Sequence, residues 1–129
     1  MVRGCASLGG ANLERRLTVR RGDLCIVELE LDGGVARKPV LVVSSDAINQ
    51  AGMHAVTIRV TSRTRPRAIP TAVEVDPDHE NGLAETSYVL CHDLLTVRQA
   101  ELGTPFGRLG PADLFAVERG LRYALSLGG

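Results

Sequence analysis

The feature that most constrains the fold of this chain is strict alternation of apolar and polar residues in short segments. From residue 22 the chain places two glutamates between three aliphatic residues, and it then reaches a turn sequence: Val27, Glu28, Leu29, Glu30, Leu31 and Asp32-Gly33-Gly34. A period of two residues puts the apolar side chains on one face of a β-strand. The segment therefore predicts a half-buried strand that ends at the turn.

Further segments predict four more strands. Pro39 to Val43 is continuously apolar and rich in β-branched residues, which is typical of a strand buried on both faces. The residues before it, 35–37, are expected to form a loop. In the next strand, Val56, Ile58 and Val60 alternate with Thr57, Arg59 and Thr61. This pattern predicts that the first set lies in the core and that the second set faces away from it. Residues 69–75 and residues 87–91 are the last two predicted strands.

Helical signals are fewer and lie mostly at the C-terminus. Ser45 and Asp46 are suited to cap a short helical turn. Pro111 follows Gly110, and a stripe with helical spacing comes after it: Leu114, Val117, Leu121, Ala124 and Leu125. The predicted fold is mainly β with a C-terminal α-helix, arranged as one small antiparallel β-barrel or curled sheet with the helix packed on it. Residues 1–20 are expected to be an N-terminal extension or loose arm, and residues 21–129 the domain.

The amino-acid composition limits the functions that the chain can have. The net charge is zero, but 14 of the 15 basic residues are arginine, the only lysine is Lys38, and four arginines lie between residues 59 and 67 without an acid among them. Aromatic residues make up 3% of the chain, so arginine must do most of any nucleic-acid binding. No membrane-spanning stretch, signal peptide or phosphate-binding glycine loop is present in the sequence. The chain is expected to be cytoplasmic, with reduced cysteines and no cofactor.

The first candidate site combines the segment Arg37-Lys38-Pro39 with the end of the third strand, Thr61 and Ser62. Cations and hydroxyls at neighbouring strand ends can cradle a phosphodiester while a 2′-hydroxyl attacks its phosphorus, and this chemistry requires no metal. Three arginines that follow are suited to clamp flanking phosphates of RNA: Arg63, Arg65 and Arg67. The alternative is that all of these are ordinary loop residues on a solvated hairpin tip.

Two other clusters are weaker candidates. The acidic stretch Asp76 to Glu80 lacks the spacing of a known metal-binding motif, so we expect no metal site there. Cys91-His92-Asp93 contains the residue types of a thiol triad. Neighbouring residues on a strand point to opposite faces, however, so Cys91 is expected to be a buried structural cysteine.

The order of these motifs resembles the MazF/PemK/Kid family of toxin–antitoxin ribonucleases. The matching segments span residues 21–127: Arg21-Gly22-Asp23, Lys38-Pro39-Val40-Leu41-Val42-Val43, Val60-Thr61-Ser62, Ile69 to Val75, Ser87 to Leu90, Leu94 to Val97, and Ala124-Leu125-Ser126-Leu127. The resemblance implies an SH3-like barrel that forms a homodimer. It also implies a bacterial, metal-independent endoribonuclease that cuts single-stranded RNA at short sequences, arrests growth and is neutralised by a cognate antitoxin.

The resemblance also implies site residues. In the family, an arginine just before the Pro-Val-Leu-Val strand acts in acid–base chemistry, and a threonine at the end of the third strand supports the transition state. Thr61 matches the threonine. The arginine corresponds to Lys38, with Arg37 one residue earlier, and either is a candidate for the catalytic cation. A lysine keeps the positive charge of the arginine, but it lacks the planar guanidinium that forms bidentate hydrogen bonds with phosphate.

Other departures from the family pattern concern the target. The segment from Leu31 to Arg37 is short, a Glu-Gln pair is replaced by His92-Asp93, and Ala72 stands where a histidine is common. These changes favour a structured RNA such as tRNA over a messenger RNA carrying a short motif. Two alternatives to the ribonuclease remain: an impaired family member that only binds antitoxin or RNA, and a toxin of the CcdB type, which shares the fold and inhibits DNA gyrase.

Overall fold

Six strands form one antiparallel sheet, seen in a computed structural model that describes residues 18–63 and 70–128. The strands are β1 (Asp23–Leu31), β2 (Gly34–Val42), β3 (His54–Thr61), β4 (Ala72–Val75), β5 (Ser87–Arg98) and β6 (Gly107–Arg108). The helices are α1 (Asp46–Gln50) and α2 (Pro111–Leu125), and a 3₁₀ turn covers Gln99–Glu101. The expected N-terminal arm falls largely on residues 1–17, which lie outside the described residues.

The sheet is open. Its strand order is β4-β5-β3-β2-β1-β6, and within the described ranges β4 and β6 are left as its two edges. The mainly β architecture with a C-terminal helix is confirmed, whereas the closed SH3-like barrel is not. No helix in the described ranges is long and apolar enough to cross a membrane.

β1 and β2 form a hairpin with a very short connection. Their pairing runs without interruption from Leu24–Leu41 to Leu31–Gly34, and Gly33 adopts a φ of 95°, a conformation that favours glycine. An Asp-Gly pair between two apolar segments is a strong signal for such a turn. The loop predicted at residues 35–37 is therefore wrong, because these residues already belong to β2.

One face of the sheet packs against α2, and we call its buried residues the helix-side core. They are Leu24, Leu41, Ile58, Val60, Val75, Val89, Cys91, Leu109 and Val117. Gly120 allows the close approach of helix and sheet, since a Cβ at this position would lie 2.6 Å from the Sγ atom of Cys91. Four of the five residues in the predicted stripe pack here, whereas Leu125 is exposed.

The opposite face, which we call the outer face, carries a second buried cluster. This outer core consists of Val19, Cys25, Val27, Val40, Val42, Ala55 and Val97, with Leu102 packed against it. Thr57 is fully buried there and donates a hydrogen bond to the carbonyl oxygen of Leu95 at 2.7 Å. The prediction that Thr57 faces away from the core is wrong, because the outer face carries a buried cluster of its own.

Candidate active site on the outer face

Lys38 and Thr61 lie on the same face of the sheet, where the pairing of β2 and β3 ends. Val40 is directly opposite Arg59 in this pairing, and two further residues along each strand lead to Lys38 and Thr61. Residues two apart on a strand share a face, and directly paired residues do so as well. Both side chains are partly buried. The structure thus brings the predicted lysine and threonine to one surface.

Arg37 points to the other face. It pairs with Glu28, whereas its neighbour Lys38 pairs with Val27 of the outer core. Because the register of β1 and β2 is uninterrupted, the two cations must diverge. The sequence left a choice between Arg37 and Lys38. Of the two, the strand places only Lys38 on the face of Thr61.

The hydroxyl of Thr61 is fixed by a local turn. Its Oγ1 atom accepts a hydrogen bond from the backbone N–H of Arg63 at 3.1 Å. This leaves the hydroxyl proton available for a bond to a phosphate oxygen. Ser62 and Arg63 are exposed just beyond the strand. The two other arginines predicted to clamp RNA, Arg65 and Arg67, lie outside the described residues.

Arg59 and Tyr88 are neighbours of Thr61 on this surface. Arg59 precedes it by two residues, and one of its terminal nitrogens, Nη1, lies 3.4 Å from the Oδ2 atom of Asp93. Tyr88, which is almost fully buried, is directly opposite Thr61 on β5. The sequence pattern had already placed Arg59 on the face of Thr61, but the partners on β5 carried no local signal.

The thiol triad suggested by Cys91-His92-Asp93 is not assembled. Cys91 is fully buried in the helix-side core, and burial raises the pKa of its thiol to about 11. His92 is exposed and shares a hydrogen bond of 2.7 Å between its Nδ1 atom and the Oγ1 atom of Thr71. The predicted divergence of Cys91 and His92 and the structural role of Cys91 are confirmed.

The acidic stretch after β4 is a hydrogen-bonded turn. Asp78 accepts hydrogen bonds from the backbone N–H groups of Glu80 and Asn81, and the buried Asn81 side chain in turn donates to the carbonyl oxygen of Asp76 at 2.9 Å. Within residues 18–63 and 70–128, no three metal-binding side chains converge on one point. The carboxylate of Asp78 therefore stabilises this turn through its hydrogen bonds to the backbone.

Sequence relatives point to one family. A sequence profile described as "PemK-like, MazF-like toxin of type II toxin-antitoxin system" matches residues 20–125. The chain is 34% identical over 96 residues to "Endoribonuclease MazF4" of Mycobacterium tuberculosis, covering 74% of this chain and 86% of the relative. It is 27% identical over 116 residues to "Endoribonuclease EndoA" of Bacillus subtilis, covering 86% and 97%.

A solved structure agrees with these relatives. The chain resembles an endoribonuclease in complex with its cognate antitoxin from a mycobacterial species, with a TM-score of 0.68 and 31% sequence identity. The similarity covers 86% of this chain and 98% of that one. Since the profile matches most of the chain and the similar structure covers 86% of it, this protein belongs to the PemK-like, MazF-like family of toxins from type II toxin–antitoxin systems.

Proposed function

We propose that the chain is a toxin endoribonuclease that cuts single-stranded RNA at short sequences without a metal ion. The observation that carries this proposal is the shared face of Lys38 and Thr61 at the end of the β2–β3 pairing. A lysine and a hydroxyl at neighbouring strand ends provide a positive charge and a hydrogen-bond donor for a phosphodiester. The relatives named endoribonucleases support the same activity.

In the proposed reaction, the 2′ oxygen of the substrate attacks the adjacent phosphorus and the bond from phosphorus to the 5′ oxygen breaks. Lys38 transfers the proton lost by the 2′-hydroxyl to the departing 5′ oxygen, and Thr61 donates a hydrogen bond to a phosphate oxygen as negative charge builds on it. Ser62, Arg63, Arg65 and Arg67 hold the flanking phosphates. The products are a 2′,3′-cyclic phosphate and a 5′-hydroxyl.

The proposal includes a partner and an assembly. A cognate antitoxin neutralises the toxin, as supported by the similar mycobacterial endoribonuclease solved with its antitoxin. The toxin forms a homodimer, which is supported by exposed apolar side chains on α2 and just after it, namely Phe115, Tyr123 and Leu127. Free toxin in the cytoplasm arrests growth by cutting cellular RNA.

The test is incubation of the purified, antitoxin-free protein with total RNA in EDTA, followed by mapping of the new ends. Discrete cuts with 5′-hydroxyl and 2′,3′-cyclic phosphate ends are expected, and they would also identify the RNA class. Folded protein that binds RNA or antitoxin without cutting would overturn the proposal in favour of an impaired family member. Inhibition of gyrase without RNA cleavage would favour a CcdB-type toxin.

A further inference from the structure

Arg59 occupies the same surface as the two proposed catalytic residues. It is directly opposite Val40, which places it diagonally across from Lys38, and it precedes Thr61 by two residues on the same strand. Diagonal neighbours across antiparallel strands lie about 7–8 Å apart between their Cα atoms, and residues two apart along a strand lie about 6.8 Å apart. A long arginine side chain spans such distances. Arg59 can therefore reach a phosphate bound at Thr61.

The guanidinium of Arg59 uses few of its donors within the protein. Its contact with Asp93 is a single long ion pair of 3.4 Å, although arginine carries five N–H donors. Its Nε atom is buried and has no hydrogen-bond partner in the part of the chain that the structure describes. A buried donor without an acceptor is unfavourable, so Arg59 is suited to an additional anionic ligand.

A β-bulge places Asp93 beside Arg59. On β3, Ile58 pairs with Leu94 and Val60 pairs with Val89, so residues 90–93 of β5 face the single residue Arg59. Bulges of this kind redirect side chains, often next to active sites. The side chains of Arg59 and Asp93 are each about 35% exposed. The Arg59 guanidinium thus contacts Asp93 while both side chains remain partly exposed to solvent.

Lys38 and Arg59 bring different chemistry to this surface. The ammonium of Lys38 is a compact charge that can move a proton, whereas a guanidinium is a planar fork that binds two phosphate oxygens at once and stays charged. We infer that Arg59 grips two oxygens of the scissile phosphate while Lys38 moves the proton, and that Asp93 is a positioning residue that orients the fork. This inference rests on the proposed ribonuclease function.

The test compares the steady-state kinetics of Arg59→Lys and Arg59→Gln on an oligonucleotide containing one mapped cleavage site. Both substitutions remove the fork, so both are expected to lower kcat by at least about 30-fold, with KM changing by less than about fivefold. Arg59→Lys keeps the charge, and wild-type activity in this variant would overturn the bidentate role. Wild-type activity in Arg59→Gln would remove Arg59 from the site altogether.

Arg98→Gln is the matched control. Arg98 lies at the other end of β5, pairs with an acid, Glu101, and is 71% exposed, so its replacement is expected to leave kcat and KM unchanged. Asp93→Asn is expected to lower kcat by about three- to tenfold without a change in KM, and Asp93→Glu is expected to recover part of that loss. A loss in Asp93→Asn that appears only in thermal stability would contradict the positioning role.

A measurement on the wild-type protein avoids dependence on variant folding. An arginine-selective dicarbonyl reagent is applied with and without an oligonucleotide made uncleavable by a 2′-deoxy sugar at the cut, and modified arginines are quantified by mass spectrometry. Protection of Arg59 but not Arg98 is expected, and equal modification of Arg59 in both samples would contradict the inference. Wild-type protein that cuts RNA while all Arg59 variants stay active refutes this inference alone, whereas wild-type protein that does not cut RNA refutes the proposed function.

Discussion

The two faces of the sheet are built from the same strands, but only the helix side is covered by α2. On the helix side, Leu41 and Ile58 are fully buried beneath α2. On the outer face, β2 and β3 continue past Val40 and Arg59 to the partly exposed Lys38 and Thr61. Both faces therefore contribute buried cores, and only the end of the outer face beyond its core is free for chemistry.

The largest expected effect concerns the helix side. Leu41→Ala removes a fully buried side chain from the helix-side core and is expected to lower the free energy of unfolding by about 2–5 kcal/mol. Val35→Ala, on the same strand but 64% exposed, is the control and should change it by less than about 0.5 kcal/mol. Urea denaturation measures both. Equal effects from the two substitutions would contradict the assignment of this face as the core.

The next effect concerns the hydroxyl of Thr61. Thr61→Val keeps the shape of the side chain but removes the hydrogen-bond donor, so RNA cleavage is expected to fall by about two orders of magnitude or more, as for the loss of one transition-state donor. Thr61→Ser keeps the hydroxyl and should retain most of the activity. Thermal melting checks that both variants are folded. Normal cleavage by folded Thr61→Val would exclude a role for the hydroxyl.

A smaller effect separates the two candidate cations. Lys38→Gln is expected to lower kcat at least about tenfold, whereas Arg37→Gln should lower it less than about threefold, because only Lys38 shares the face of Thr61. Cleavage kinetics on the mapped RNA site measure both variants. Similar mild losses would show that neither residue transfers a proton, and a larger loss for Arg37→Gln would reverse the assignment.

The smallest effect is electrostatic and lies away from the site. Burial, and then the nearby Asp78 and Asp76, raise the pKa of Asp113. The folded state therefore favours the protonated form, and this contribution to stability is lost as the pH rises through the raised pKa. Asp113→Asn is expected to raise the melting temperature slightly at pH 7 and to leave it unchanged near pH 3.

Replacing Asp46 is expected to change the melting temperature in the opposite direction. The backbone N–H of Arg21, and then the side chain of Asn49, lower the pKa of Asp46 by hydrogen bonding to it. Its contribution to stability is present above the ordinary pKa of a carboxyl and is lost as the pH falls through the lowered value. Asp46→Asn should therefore lower the melting temperature at pH 7. An increase for Asp46→Asn would contradict its assignment, and a decrease for Asp113→Asn at pH 7 would contradict that of Asp113.

Much of the fold was predictable because its signals are local. Ser45 caps α1, accepting a hydrogen bond from the backbone N–H of Ile48 at 3.4 Å, and Pro111 begins α2, both as the sequence indicated. The two-residue strand β6 was missed, since its pairing with Asp23 and Leu24 depends on residues more than 80 positions away. The length of β5 was underestimated because residues 92–98 become a strand mainly by pairing with β3.

The candidate site was predictable in part. The order of motifs indicated Lys38 and Thr61, and alternation along β3 placed Arg59 on the face of Thr61. The sequence could not decide between Lys38 and Arg37, because neighbouring residues on a strand lie on opposite faces of the sheet and the register was not known. The contact between Arg59 and Asp93 depends on a bulge, and a bulge leaves little trace in hydrophobic periodicity.

From the sequence alone, five of the six strands in outline, the start of α2 and the resemblance to the family could be predicted. These properties follow from side-chain alternation, turn residues and the order of short motifs, all of which act between near neighbours. The tertiary structure was needed to show that the outer face has its own core and that Lys38 lies on the surface of Arg59 and Thr61. Register and long-range pairing set those relations, and both are properties of the assembled sheet rather than of any one segment.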